Sequence, residues 1–143
     1  MPKIIKRKKK NNENAGQVSV EALLLWAALA GMLALFTPAF AHAMDAYTLL
    51  ARTNQYTAFS DELEKNMEWL SFSAPGSQVQ MRVPDIEGME ITILVDEIDI
   101  EFDDDSFSHT KTRTIASPIP IEGEIILGET ITLLREEDKI TIR

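Results

Sequence analysis

The chain has 143 residues, a formal charge of −9 and no cysteine. That length admits one small domain with an appendage, and the missing thiols exclude disulfides, thiolate metal sites and a cysteine nucleophile. The charge is split: residues 1–16 hold six Lys/Arg against Glu13, or +5, which leaves −14 for residues 17–143. A body that acidic excludes a nucleic-acid face, which needs cations to neutralise phosphates.

The basic leader consists of Lys3, Lys6, Arg7, Lys8, Lys9 and Lys10. It stands just before an apolar run, where cations hold a segment on the cytoplasmic side of a membrane. From Ala22 to Ala41 there is no charged residue, and Thr37 is the only polar side chain. Twenty residues at a helical rise span roughly 30 Å, the thickness of a hydrocarbon core. A cleaved secretory signal is the rival reading. Small residues in "AFAHA" (Ala39–Ala43) suit it, but its apolar core runs only about 7–15 residues. Glu21 immediately precedes the run. A carboxylate at a helix start is favoured by the macrodipole, so an interfacial glutamate is the plain reading of that residue taken alone.

Beyond the run, Leu49, Tyr56, Phe59, Leu63, Met67 and Leu70 recur at helical spacing and form one apolar stripe. Charged residues such as Asp61, Glu62, Glu64, Lys65 and Glu68 fill the other faces. Ser60 with Glu62 is compatible with a second helix start, yet no Pro or Gly precedes it. The first firm stop is Pro75-Gly76. One helix is therefore expected from Gln17 to Phe72, hydrophobic all round in its first half and amphipathic in its second.

After Gly76 the period changes to two. "QVQMRV" puts Val79, Met81 and Val83 on one face, and "MEITILV" does the same for Met89, Ile91, Ile93 and Val95, after a "PDIEG" turn. "EIDIEF" alternates Ile98, Ile100 and Phe102 with Glu97, Asp99 and Glu101. Further strands are expected at Phe107–Ile115, Glu124–Leu127, Thr130–Arg135 and Lys139–Ile142. The prolines of "SPIPIEG" (Ser117–Gly123) mark a crossing loop or an edge segment. The fold class is α+β, a long N-terminal helix followed by a small antiparallel β-sheet or sandwich head. Its expected divisions are residues 1–16, 17–43, 44–73 and 77–143.

Asp96, Glu97, Asp99, Glu101, Asp103, Asp104 and Asp105 form an acidic cluster. Asp103, Asp104 and Asp105 are the only metal candidates, but the spacing of a calcium loop is missing, so a solvated strand face and no metal are expected. Two hairpin registers are open. A three-residue loop at Asp104–Ser106 would set Glu101 opposite His109, Asp99 opposite Lys111 and Glu97 opposite Arg113, pairing opposite charges. A four-residue loop would set Phe102 opposite Phe107. His42 and His109 stand on different elements, and there is no phosphate-binding glycine loop or nucleophile elbow. No set of residues supports catalysis, and no cofactor is expected.

The string "AGQVSVEALLLW" resembles the class III signal peptide of archaeal type IV pilins, whose Q-x-S-x-E pattern falls here on Gln17, Ser19 and Glu21. The resemblance covers residues 3–40 and joins basic leader, glycine, spaced polar triplet and apolar run in order. It implies a type IV pilin-like fold and a structural role. A membrane-bound class III prepilin peptidase would cut between Gly16 and Gln17, where glycine leaves the backbone unobstructed. Cleavage would remove the +5 leader and create an amine on Gln17, four residues before Glu21. In a filament of packed helices a buried Glu21 carboxylate would pair with a neighbour's Gln17 amine and set axial register. Pro38 would remove one helical hydrogen bond and allow a kink or melted turn. The resemblance further implies a homo-oligomeric filament, an assembly ATPase and a membrane platform protein. It places the precursor in the cell membrane with a cytoplasmic N-terminus, and the filament outside, for adhesion. The alternative is a membrane-anchored extracellular binding module that does not polymerise.

Overall fold

The structure, a computed structural model, describes residues 12–104 and 109–143. The chain divides into two compact units, Met1–Ala46 and Tyr47–Arg143. Lys3 to Lys10 of the leader, and Asp105, Ser106 and Phe107 of the expected hairpin tip, lie outside the described residues.

The helix α1 runs Asn12–Phe72. Its end coincides with the expected stop, while it is already helical at Asn12, ahead of the expected start at Gln17. No second start occurs at Ser60. That residue is fully buried within the helix, and its hydroxyl donates to the Tyr56 carbonyl at 2.8 Å, which satisfies it without a partner from outside.

Seven strands follow: β1 Gln78–Arg82, β2 Met89–Ile93, β3 Glu97–Asp104, β4 His109–Ala116, β5 Ile121–Gly123, β6 Thr130–Arg135 and β7 Ile140–Ile142. They form two sheets, not one. The first has the order β1-β6-β7-β5 and the second β2-β3-β4. The first is mixed, because β5 runs parallel to β7 while β6 is antiparallel to both β1 and β7. This corrects the purely antiparallel expectation. The strand expected at Glu124–Leu127 is absent, and its place is taken by β5 within "SPIPIEG". Pro118 and Pro120 precede β5, which occupies a sheet edge where missing N–H donors do least harm.

One core joins helix and sheets. Tyr56, Phe59, Leu63, Met67 and Leu70 of α1 are buried, with Leu49 partly so. Ile98, Ile100, Phe102 and Ile115 come from the second sheet, and Met81, Ile131, Leu133 and Ile140 from the first. Tyr56 stacks on Phe102 with ring centroids 5.7 Å apart, and its hydroxyl donates to the Ile100 carbonyl at 3.2 Å. Burial holds its phenol above the usual range.

Two apolar residues depart from the alternating pattern. Val95 is exposed because β2 ends at Ile93 and the Leu94 N–H bonds the Glu97 carbonyl, closing a tight turn. Ile86, inside the expected "PDIEG" turn, is fully buried. Gly88 closes the same turn at φ 83°, where a Cβ would lie 2.0 Å from the Asp103 carbonyl oxygen. Only glycine fits there.

The β3–β4 register is neither of those expected. Asp104 pairs with His109, Phe102 with Lys111, Ile100 with Arg113 and Ile98 with Ile115. Glu101 and Asp99 therefore meet Thr112 and Thr114 instead of cations. In this register Lys111, Arg113 and Ile115 share the core-facing side with Phe102, Ile100 and Ile98. Burial explains the choice: it places Ile115 beside Ile98 inside the core, a larger gain than surface charge pairs offer.

Candidate functional site

The residues singled out from the sequence lie on α1 in the first unit. Residues 19–46 are helical, and every described side chain there is exposed. Leu35 is 77% exposed, and Trp26 and Phe40 are each 69% exposed. A soluble surface does not carry such a run of large apolar side chains. The described helix is long and apolar enough to cross a membrane. Its helical backbone bonds internally except at the carbonyl facing Pro38, as hydrocarbon favours.

Thr37, the one hydroxyl of the run, donates to the Leu33 carbonyl at 2.6 Å. Its polar atom is thereby satisfied within the helix. Pro38 follows directly and has no N–H to offer the Ala34 carbonyl. The helical span continues through Pro38, so of the kink or melted turn that the proline would allow, no melted turn is formed.

Gly16, Gln17, Ser19 and Glu21 all belong to α1. Gln17 and Glu21 are four residues apart and so fall on one helix face, whereas Ser19 projects elsewhere. The Gly16–Gln17 bond lies inside the helix. A protease binds an extended backbone, so cutting there requires the first turns of α1 to unwind. Glycine lowers that barrier, being about 1 kcal/mol less favourable than alanine in a helix interior.

In the second unit Arg113 reaches α1 from the core side of β4. Its guanidinium donates to both Asp61 and Glu64. These carboxylates, the first-named more strongly, hold the guanidinium pKa above its ordinary value. Arg52 pairs with Glu87 at 2.8 Å. Lys139 joins Glu122 at 2.6 Å, clasping the β5–β7 edge.

The outer side of β2-β3-β4 carries Glu90, Asp99, Glu101 and Asp103, with Thr110, Thr112 and Thr114. Glu90 stands directly opposite Glu101. Thr110 and Thr114 donate to Asp103 and Asp99 at 2.9 and 2.6 Å. Of the metal candidates, Asp103 thus has a hydroxyl partner, Asp104 is described by its backbone pairing alone, and Asp105 is outside the described residues. Among the described residues, no group of three or more His, Asp or Glu side chains is placed to hold a metal ion. His42 lies on α1 in the first unit and His109 begins β4.

Sequence reasoning passed over a second exposed apolar set on α1, within the second unit. Tyr47, Leu50, Trp69 and Phe72 are 68%, 57%, 51% and 85% exposed. They occupy the helix face opposite the buried stripe. The signal was present in "EWLSF", where Trp69 and Phe72 flank the core residue Leu70 but fall outside its period.

Compared with protein-family models, with curated proteins and with solved structures, the chain matches none.

Proposed function

We propose that this chain is the precursor of a pilin-like structural subunit, cut before Gln17 and assembled through its N-terminal helix into an extracellular filament that serves surface adhesion. The observation that carries the reading is the exposed apolar helix of residues 19–46, continuous in sequence with a unit that has a complete core of its own. Such a helix needs a non-aqueous partner on every side. Lipid supplies it for the precursor, and other copies of the helix supply it for a filament.

Glu21 gives the exchange a direction. At the membrane edge an ionised carboxylate is tolerated by snorkelling. Between packed helices it needs a cation. Cleavage would create one, the Gln17 amine, on the same helix face one turn away. The intermolecular version of that pair would fix the axial step between copies. The type IV pilin resemblance supplies the remaining roles: a class III prepilin peptidase for the cut, and an assembly ATPase with a membrane platform protein for extrusion. The leader's six cations keep it cytoplasmic until then.

The test is Glu21→Gln in the full chain, expressed where the leader is processed. Electron microscopy is expected to find filaments for the wild type and none, or at least ten-fold fewer, for the variant. Normal filament yield from Glu21→Gln would remove the charge pair from the account, and a processed wild type that never polymerises would remove the filament.

A further inference from the structure

We infer that the second unit carries a head-to-tail docking pair for a second copy of this chain: the Trp69/Phe72 end of α1 on one copy receives the Tyr47/Leu50 end of a copy several steps further along the filament. The inference deepens the proposed function by naming a contact between the heads, and it rests on that reading.

Four large side chains are exposed on the outward face of α1 in this unit, and they form two pairs. Tyr47 and Leu50 are three residues apart, as are Trp69 and Phe72, so each pair forms one ridge. The pairs repeat at an offset of 22 residues, or about 33 Å along a helix. Twenty-two residues are close to six full turns, so both ridges point the same way around the axis. A parallel copy turned to face this side of the helix and displaced by that step brings its Tyr47 beside Trp69 and its Leu50 beside Phe72. The far ridge has room to receive a side chain, for a hollow of about 390 Å³ lies along Lys65, Glu68, Trp69, Phe72 and Ser73.

Charge selects the same contact. Residues 47–143 hold eight Lys/Arg and twenty Asp/Glu, a net −12, so two heads repel each other over most of their surface. The segment Tyr47–Ala51 has no charge at all. The hollow it meets carries Lys65 against Glu68 and is neutral. An in-register parallel pair would instead set Glu62, Lys65 and Glu68 against the same groups, like charge facing like. An uncharged ridge on a charge-balanced hollow is the match that avoids this. A contact between two different patches is heterologous, and the axial displacement keeps it from closing into a ring, so it propagates as an open array.

The absence of cysteine makes the test clean. Tyr47→Cys and Trp69→Cys are combined in one full-length chain, and the detergent-extracted or assembled protein is oxidised. Within one chain the two positions are about 33 Å apart on one helix, far beyond disulfide reach. The docking pair predicts a ladder of cross-linked multimers from the double variant, heterodimers from a mixture of the single variants, and monomers from either alone. Monomers throughout, or dimers from Trp69→Cys alone, would overturn it. Electron microscopy of the unoxidised variant separates this outcome from the parent reading. Filaments without a ladder overturn the docking pair and leave the filament standing. A ladder without filaments upholds the docking pair and counts against the filament, and the absence of both overturns both.

Discussion

One helix, α1, is built under two different rules. In residues 19–46 apolar side chains face every direction and all are exposed. Between Leu49 and Leu70 one stripe, Tyr56, Phe59, Leu63, Met67 and Leu70, is buried under two sheets, while Leu50 and Trp69 stay exposed on the opposite face. The first half buries none of its described apolar side chains within the chain, while the second half buries its main stripe. The contrast sets a helix long and apolar enough to cross a membrane, in the first unit, against a covered stripe in the second.

Matched substitutions in the two halves are the sharpest way to break this comparison. Leu63→Ala removes a fully buried side chain and is expected to cost the head about 2–5 kcal/mol. Leu33→Ala, in a residue 68% exposed, is expected to leave head stability unchanged within about 0.5 kcal/mol. Thermal unfolding in detergent compares them, and equal losses would refute the division.

Two glycines repeat the contrast on a smaller scale. Gly88→Ala sets a Cβ against the Asp103 carbonyl at positive φ, for a loss of about 1–3 kcal/mol. Gly31 has open space around it, and Gly31→Ala is expected to firm the helix by about 0.5–1 kcal/mol. Hydrogen exchange of each region reads both.

Arg113→Met sharpens a third point, that the cation binds sheet to helix and is not a partner for the acidic strand face. The groups are partly exposed, so a loss of about 0.5–1 kcal/mol is expected, shrinking as salt rises. A loss that salt does not touch would point to lost packing instead. Smaller still is Lys139. Glu122 raises its pKa above the usual lysine value, so its contribution is full below that value and disappears as pH rises through the raised one. Lys139→Met is expected to melt slightly below wild type at pH 9, with the gap closing as pH rises beyond the usual lysine value.

These elements also mark how far the sequence could be read. The helix stop, the buried stripe and the α+β order were legible because each rests on a period sustained over many residues. The hairpin register was not. Surface charge pairing pointed one way, while the structure follows burial of Ile115 beside Ile98, and that preference depends on a sheet–helix contact no local pattern contains. The parallel β5–β7 pair was hidden for the same reason, since its partners lie on either side of β6. Ile86 was masked by turn residues around it. In the candidate segment, the exposed apolar run was plain from composition. The helical state of Gly16–Gln17 was not, because glycine at that spot argues locally for a break.

The central claim is that α1 exchanges lipid for copies of itself once the leader is gone. N-terminal sequencing of the protein recovered from the cell surface tests it most directly. The account predicts a mature chain beginning at Gln17; a surface chain that still begins at Met1 would contradict it.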